Sequence, residues 1–290
     1  MKRILALALA AGCVAAMAGS ADAIQIATSP GAIVPGGAVL LTARTQEPLD
    51  ALRVRAFDRD IATYRLDVDT WQSLLGIDLG TKPGSYVVSF EGISRGLTVS
   101  ATTILVVKRR AFETRVLHVD DAFVNPPAPL IARITGEAAD IARVWTDSAP
   151  HRLWVERFVR PVPGRANSAF GTRSIFNGEP RQPHSGADFL SPAGTPVLAP
   201  NSGRVVLARD LYFTGNTVVI DHGLGVFSLL AHLSLMNVRE GAFVTRGDTV
   251  GEVGATGRVT GPHLHWAVRM NGARVDPLAV LALPGSALKP

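Results

Sequence analysis

Histidine and aspartate occur together in two short stretches of the sequence. The first is His184-Ser185-Gly186-Ala187-Asp188, and the second, about eighty residues later, is His263-Leu264-His265. Pro183 and Gly186 interrupt the first stretch and Gly261-Pro262 precede the second, so neither stretch is expected to be helical. Side chains two residues apart in a strand share a face, so His263 and His265 should point the same way.

These residue types could bind a catalytic zinc ion. Such an ion is held by three protein side chains, keeps one position open for water and lowers the pKa of that water towards ~7. The chain has no His-Glu-x-x-His sequence and therefore lacks the glutamate base of that class of zinc peptidase. An imidazole outside the metal shell can replace it, because its pKa lies near neutrality. His232, in Ala231-His232-Leu233-Ser234, adds a further imidazole, and together the residues predict a zinc peptidase.

Each histidine also has a plain structural explanation when it is taken alone. The first stretch could contain a hydrogen-bonded histidine–carboxylate pair in a turn, and the second could be the polar face of an edge strand. Their joint occurrence in one turn-rich region favours the metal site. His222, which follows a predicted strand, is interpreted as structural, and His118 and His151 as surface or packing residues.

The start of the chain is typical of an export signal. A basic Met1-Lys2-Arg3 precedes an apolar run from Ile4 to Met17 and then Ala21-Asp22-Ala23, which predicts a signal peptide over residues 1–23. A membrane anchor is the first alternative, but the apolar run is short for a span. A lipoprotein processed at Cys13, the single cysteine, is the second, although a polar linker would then be expected after it.

Composition limits the class of protein further. The 290 residues are 47% hydrophobic, which is enough for about two domains. Without the predicted signal peptide the chain has 27 basic and 23 acidic residues and no dense basic run. This fits weak attraction to an anionic envelope polymer and gives little support for nucleic-acid binding. The remaining chain has no cysteine, which excludes thiolate zinc ligands. We expect a periplasmic or secreted monomer without a transmembrane segment after signal removal.

Residues 24–108 consist of short β-rich runs separated by glycine and proline turns. This spacing predicts a small antiparallel sandwich of immunoglobulin-like type. The region shows no cluster with metal-ligand spacing, so a structural or wall-facing role is expected. The predicted strands are Ala38–Thr42, Leu52–Phe57, Ala62–Val68, Tyr86–Phe90 and Leu97–Val107.

A connector over residues 109–153 leads to a second β-rich region over residues 154–290, so the whole chain is predicted to be mainly β. Apolar residues recur at spacings of three and four between Ala128 and Ser148, which predicts a linker helix; it could instead act as a latch against the active site. Asn271-Gly272 predicts a tight hairpin in a compact antiparallel sheet with a groove between its loops. The predicted strands are Val197–Ala199, Arg204–Ala208, Asn216–Asp221, Gly225–Leu230, Thr249–Val253, Trp266–Met270 and Ala273–Val275.

Five segments of the second region resemble, in order and spacing, the lysostaphin-like (LytM-type) zinc endopeptidases that cut peptidoglycan cross-bridges. The resemblance covers roughly Phe158 to Pro277, and the N-terminal region resembles, more weakly, the β-sandwich that precedes the catalytic domain in some exported members. The segments are Phe170-Gly171-Thr172-Arg173, His184-Ser185-Gly186-Ala187-Asp188, Ala231-His232-Leu233-Ser234, Gly254-Ala255-Thr256-Gly257 and Gly261-Pro262-His263-Leu264-His265.

The resemblance implies different roles for the candidate residues. His184, Asp188 and His265 would hold Zn²⁺, while His232 and His263 would be catalytic imidazoles outside the metal shell. One of these two would activate water, and the other would steady the oxyanion or protonate the leaving amine. Which histidine takes which role is left open.

The resemblance also implies a function, namely hydrolysis of peptide cross-links in bacterial peptidoglycan, with D-alanyl–diaminopimelate bridges as the expected bond and peptide stems as the partner. A non-hydrolytic relative that activates a cell-wall amidase is the alternative, but such proteins lose metal ligands and every ligand position here is filled. A biotinyl or lipoyl carrier is a third hypothesis for Gly241–Gly254, and it fails because such carriers need an exposed lysine and no lysine lies between Lys108 and Lys289. In one departure, Leu230 stands where many relatives have a tyrosine, which puts an auxiliary role of that tyrosine in doubt.

Overall fold

Strands make up most of the folded chain, as predicted. The computed structural model describes residues 24–29, 31, 33–118, 124, 126–166 and 170–284, so the predicted signal peptide and Cys13 lie outside the described residues. Within these ranges the elements are twenty strands and two helices. Neither of these two helices combines the length and the apolar character that crossing a bilayer requires. The mainly β fold class is confirmed.

The N-terminal region forms two four-stranded antiparallel sheets that share a core. The strands are β1 (Ile24–Thr28), β2 (Ala38–Thr45), β3 (Ala51–Ala56), β4 (Arg59–Ile61), β5 (Tyr64–Arg65), β6 (Thr70–Gly76), β7 (Gly84–Ser94) and β8 (Leu97–Val107). One sheet has the order β1-β2-β6-β5 and the other β4-β3-β7-β8. Alternate residues such as Val54 in one sheet and Leu75 in the other are buried in the shared core. The result is a β-sandwich.

The prediction of one strand over Ala62–Val68 is wrong. Within this range the structure has only the two-residue β5, while β4 ends just before it and is separated from β5 by residues 62–63. β4 pairs with β3 in one sheet, whereas β5 pairs with β6 in the other. The chain therefore crosses between the two sheets inside the predicted strand, and a hydrophobic pattern alone does not show such a crossing.

The connector contains a strand as well as the predicted helix α1 (Ala128–Val144). β9 (Thr114–Leu117) pairs in parallel with β10 (Arg173–Phe176), which pairs antiparallel with β11 (Glu179–Pro180). Residues 109–153 are thus more than a linker with a helix, because part of this segment belongs to a sheet. Local sequence could not reveal a parallel partner about sixty residues away.

The second region is built on a nine-stranded sheet with antiparallel pairings throughout. Its strands are β12 (Gly186–Phe189), β13 (Pro196–Leu198), β14 (Gly203–Leu211), β15 (Gly215–Asp221), β16 (Val226–Met236), β17 (Phe243–Val244), β18 (Thr249–Val253), β19 (Leu264–Met270) and β20 (Ala273–Val275), and the short helix α2 (Pro277–Leu281) follows. The main path is β12-β19-β16-β15-β14-β17, with β18 beside β16, β13 beside β18, and β20 beside β19.

The two faces of this sheet have different environments. Leu264, Trp266 and Val268 of β19 are buried in the main core. The alternate residues of β19, including His265 and Ala267, point to the opposite face. The linker helix packs on that opposite face through Ile141, Val144 and Trp145, which contact a cluster formed by Leu207, Leu211, Val219, Phe227, Leu229 and Ala231. The helix and the histidines therefore share one face of the sheet.

The N-terminal sandwich docks on the hairpin between β19 and β20. The Asp78 carboxylate accepts three hydrogen bonds from Arg274, at 2.7 to 3.0 Å. The side-chain amide of Asn271 donates to the carbonyl of Leu74 at 2.7 Å. This hairpin lies at the far end of β19 from His265, roughly 20 Å along the strand at about 3.4 Å per residue.

Candidate metal centre

Neighbouring strands place the predicted ligands on one face. Asp188 on β12 lies directly opposite His265 on β19. Directly opposed residues of antiparallel strands project to the same side, so these two side chains meet. His184 precedes β12, and backbone hydrogen bonds fix it: its N–H donates to the carbonyl of Thr172 at 2.9 Å and its carbonyl accepts from the N–H of Gly171 at 2.7 Å.

The three candidate ligand atoms form a nearly equilateral triangle. His265 Nδ1 lies 3.0 Å from His184 Nε2 and 3.0 Å from Asp188 Oδ1, and the remaining side measures 3.2 Å. Ligand atoms bound at about 2.0–2.1 Å to a tetrahedral zinc ion lie about 3.3 Å apart. The triangle therefore matches one face of a zinc coordination tetrahedron, and two imidazoles with one carboxylate are a donor set that zinc prefers.

Burial and hydrogen bonding set the charge of this group. Burial opposes ionisation of Asp188, but hydrogen bonds from His184 and His265 hold the pKa of its carboxyl well below the usual range. Burial lowers the pKa of His265, although its hydrogen bond to Asp188 acts in the other direction. The carboxylate is thus charged and the His265 imidazole neutral, and a neutral imidazole that carries its proton on Nε2 leaves Nδ1 able to bind a cation.

Gly186 makes room for the His265 ring. A Cβ atom at position 186 would lie 2.6 Å from Cε1 of His265 and 2.6 Å from the carbonyl oxygen of Trp266. No side chain fits at these distances, so glycine allows the β12 backbone to pass directly beside the imidazole. The glycine inside His-Ser-Gly-Ala-Asp therefore helps to set the position of a ligand on another strand.

Two further imidazoles lie beside the triangle. The ring centroid of His232 is 4.9 Å from that of His263 and 5.9 Å from that of His265. His232 Nδ1 donates to the carbonyl of Thr256 at 2.9 Å, and His263 Nδ1 donates to the carbonyl of Gly261 at 2.8 Å. Because each Nδ1 donates to a carbonyl, Nε2 is the acceptor atom of each ring in its neutral form.

A β-bulge aims the side chain of His232. Its φ is +64°, which is uncommon for a residue other than glycine. The register between β15 and β16 shifts at this point, and the N–H of His232 donates to the carbonyl of Thr214 at 2.9 Å. Burial lowers the pKa of His232 to about 3, so this imidazole is neutral at physiological pH.

The remaining predicted histidines lie apart from this centre. His222 is fully buried, where its Nδ1 donates to the carbonyl of Ser202 and its Nε2 accepts from the hydroxyl of Ser228, each at 2.9 Å. Both ring nitrogens are occupied in a network that joins strands, which is a structural role. His118 and His151 are exposed.

The loop between β18 and β19 contributes residues to which the sequence analysis assigned no role. The hydroxyl of Thr256 accepts from the N–H of Asn216 and donates to the carbonyl of Leu233, each at 2.9 Å, while its own carbonyl orients His232. Arg258, two residues later, lies over two aromatic rings. The Gly-Ala-Thr-Gly motif was visible in the sequence, but only the fold shows which atoms it presents.

Comparison with known proteins agrees with this geometry. The model of peptidase family M23 matches residues 182–277. The crystal structure of a Pseudomonas aeruginosa protein assigned to peptidase M23 has a TM-score of 0.68 and 33% sequence identity, covering 87% of this chain and 96% of that one.

Curated relatives share the second region. The peptidoglycan DD-endopeptidase ShyA of Vibrio cholerae is 42% identical over 115 residues, which are 39% of this chain. The DD-carboxypeptidase/endopeptidase Mpg of Neisseria meningitidis is 43% identical over 120 residues, 41% of this chain. The matched part spans only 27% of the length of either relative. The family match and the full-length structural similarity together show that this chain belongs to peptidase family M23.

Proposed function

We propose that this protein is a zinc endopeptidase that hydrolyses peptide cross-links in bacterial peptidoglycan. The observation that carries the proposal is the triangle of donor atoms from His184, Asp188 and His265, with sides of 3.0 to 3.2 Å. The relatives named as peptidoglycan DD-endopeptidases support this substrate class. D-alanyl–diaminopimelate bridges are the proposed bond, and the periplasm or cell exterior is the proposed location because the substrate lies there.

The proposed metal ligands are His184 Nε2, Asp188 Oδ1 and His265 Nδ1. Three protein ligands leave one coordination position open, as in catalytic rather than structural zinc sites. A bound zinc ion supplies Lewis acidity, which makes water more acidic and polarises a peptide carbonyl. The charge of Asp188 and the neutral imidazole of His265 are already arranged for a cation in this position.

His232 and His263 are the proposed proton carriers. Their Nε2 atoms are acceptors, because their Nδ1 protons are bound to backbone carbonyls. His263 Nε2 lies 3.8 Å from Asp188 Oδ1, which places this acceptor at the edge of the ligand triangle. One imidazole takes the proton of the attacking water through its Nε2 and passes it to the leaving amine.

Two alanine variants test the separation of metal binding from proton transfer. His265→Ala should lose both bound zinc and activity, because a ligand is removed. His232→Ala should keep stoichiometric zinc and lose about 10²–10⁴-fold in turnover, the usual contribution of a general acid–base group. Zinc is measured by atomic emission, and the fragments released from purified peptidoglycan by mass spectrometry, which also identifies the bond cleaved.

The exposed His151 provides a control, since His151→Ala should retain both zinc and turnover. Loss of zinc in His232→Ala would contradict the division between ligands and proton carriers. Wild-type protein that lacks stoichiometric zinc and releases no fragments would favour the amidase activator instead.

A further inference from the structure

The strand β8 forms an unpaired edge of the N-terminal sandwich. It is the last strand of its sheet and pairs with β7 over all eleven of its residues. Within the described part of the chain no other strand pairs with β8, and no backbone hydrogen bond joins it to another segment. The N–H and C=O groups on its free side can therefore pair with a further strand.

Edge strands usually carry features that prevent such pairing, namely short length, charged side chains, proline or a bulge. β4, at the opposite edge of the same sheet, has only three residues, and two of them, Arg59 and Asp60, are charged. β8 has eleven residues without a charge or a proline. Its register with β7 also runs from end to end without a shift. This edge thus lacks each of the protections that the opposite edge and other edge strands use.

The outer face of the sheet beside this edge is apolar. Val87 on β7 lies directly opposite Ile104 on β8, and the two residues are 62% and 64% exposed. Val106, two residues further along β8, is 54% exposed on the same face. Its neighbours Leu105 and Val107 point the other way, into the core of the sandwich. Exposed apolar side chains that adjoin in this way mark interaction sites.

The absence of charge favours a second copy of the same chain as the partner. When a strand pairs antiparallel with its own copy about a two-fold axis, a charged side chain near the axis meets the same charge, which is unfavourable. The nearest charged residues along the chain, Arg95 and Lys108, both lie outside β8. A charged partner strand would find no ion pair at this edge, whereas an identical strand matches both its backbone groups and its apolar side chains.

We propose that two copies of the chain associate through antiparallel pairing of their β8 strands, with the two-fold axis at Ile104. The β4-β3-β7-β8 sheets of the two copies then form one continuous sheet. Val87 and Ile104 of one copy lie in one row with the same residues of the other copy, so four apolar side chains are removed from water together. This dimer differs from the monomer expected from the sequence, and it is independent of the proposed catalytic function.

Sedimentation equilibrium of the purified protein tests the pairing. Wild-type protein should form a concentration-dependent dimer. Ile104→Lys should raise the Kd of the dimer by at least about 100-fold, because two apolar side chains leave the interface and two like charges meet at the axis. Val68→Lys is the matched control, since Val68 is equally exposed but lies in the turn before β6; this variant should dimerise like wild type. Unchanged thermal unfolding of both variants shows that the fold is intact.

A single thiol locates the axis. Cys13 is the only cysteine of the sequence, so in a Cys13→Ser background Ile104→Cys adds the one thiol that is present. Mild oxidation should link two copies through this residue, whereas Val68→Cys in the same background should stay unlinked. Wild-type protein that sediments as a monomer at every concentration would overturn the proposal. So would a dimer that Ile104→Lys leaves intact, or equal linkage through the two cysteine variants, since the interface would then lie elsewhere.

Discussion

His232 owes its position to backbone atoms rather than to neighbouring side chains. Its left-handed φ, its N–H bond to Thr214 and its Nδ1 bond to Thr256 each involve the main chain. The Thr256 carbonyl is itself fixed by the hydroxyl of the same residue, which bridges Asn216 and Leu233. A hydroxyl outside the candidate ligand set therefore helps to determine which nitrogen of His232 bonds to the backbone.

Thr256→Val should lower turnover about 10- to 100-fold while zinc is retained, a magnitude typical of groups that orient an active-site residue. The substitution keeps the side-chain shape but leaves an N–H and a carbonyl without their hydroxyl partner, which costs about 1–3 kcal/mol of unfolding free energy. Turnover, zinc content and denaturant unfolding measure these effects. Thr256→Ser keeps the hydroxyl and should stay near wild type, and a fully active Val variant would refute this positioning role.

At the scale of elements, alternation along β16 and β19 separates the core from the site. Leu230 lies opposite Trp266, and both are fully buried in the core. Ala231 lies opposite His265 on the other face. Leu230, the residue that departs from the tyrosine of many relatives, is therefore a packing residue in this fold and does not line the metal centre.

His222 connects the strands behind the site. Its partner Ser228 on β16 also accepts the indole N–H of Trp266 on β19 at 3.1 Å, and its other partner, Ser202, precedes β14. A neutral imidazole satisfies this network completely, since Nδ1 donates and Nε2 accepts. Protonation would place a second donor against the Ser228 hydroxyl and a charge in the core.

This network should make stability depend on pH. Burial lowers the pKa of His222 to about 4, whereas an unfolded histidine has a pKa of about 6.5. Between these two pKa values the unfolded chain binds the proton more readily than the folded chain does. The stabilisation by neutral His222 is therefore complete above about pH 6.5 and is lost as the pH falls towards 4, by up to about 3 kcal/mol of unfolding free energy. Urea unfolding at several pH values measures it. His222→Gln cannot titrate and should show a shallower dependence, and an unchanged slope would contradict the assignment.

At the scale of the whole molecule, the linker helix supports the turn between β14 and β15. Glu137 of α1 accepts the backbone N–H of Tyr212 at 2.8 Å, and Asp140 pairs with Arg209 at 2.9 Å. Tyr212 begins this turn, whose Thr214 carbonyl accepts the N–H of His232. The helix thus braces a turn that contacts the candidate metal centre.

The Asp78–Arg274 pair attaches the N-terminal sandwich to the second region. Loss of this pair should destabilise the protein without lowering its turnover. Burial opposes ionisation of Asp78, but the hydrogen bonds from Arg274 lower the pKa of its carboxyl well below the usual range. Asp78→Asn should cost about 1–3 kcal/mol of unfolding free energy at pH 7. The difference in unfolding free energy between wild type and Asp78→Asn is complete above about pH 4. It declines below that pH, because the Asp78 carboxyl becomes protonated.

Thermal unfolding and turnover on peptidoglycan measure this pair of effects. Turnover should persist, because the hairpin lies at the far end of β19 from His265. Asp60→Asn is the control, because its pair with Arg53 is exposed and screened by solvent. Equal destabilisation by the two variants would show that the Asp78–Arg274 pair stabilises the protein no more than an exposed ion pair does.

The sequence alone determined the mainly β class, the linker helix and the residues that meet in the candidate metal centre. Strand alternation, the three- and four-residue spacing of α1 and the glycine- and proline-bounded motifs are local patterns, because they depend on side-chain type and backbone freedom within a few residues. The division of the chain at residues 108 and 153 and the roles of the individual histidines stay predictions.

Only the tertiary structure decided which atoms meet. The pairing of Asp188 with His265, the parallel partner of β9 and the contacts of Arg258 with Phe176 and Phe213 depend on strand register and loop packing over separations of 45 to 82 residues. Register is set by the summed packing of whole sheets, so no short window of sequence contains it. The face that α1 covers was likewise undetermined, since an amphipathic helix specifies its own apolar stripe but not the surface that receives it.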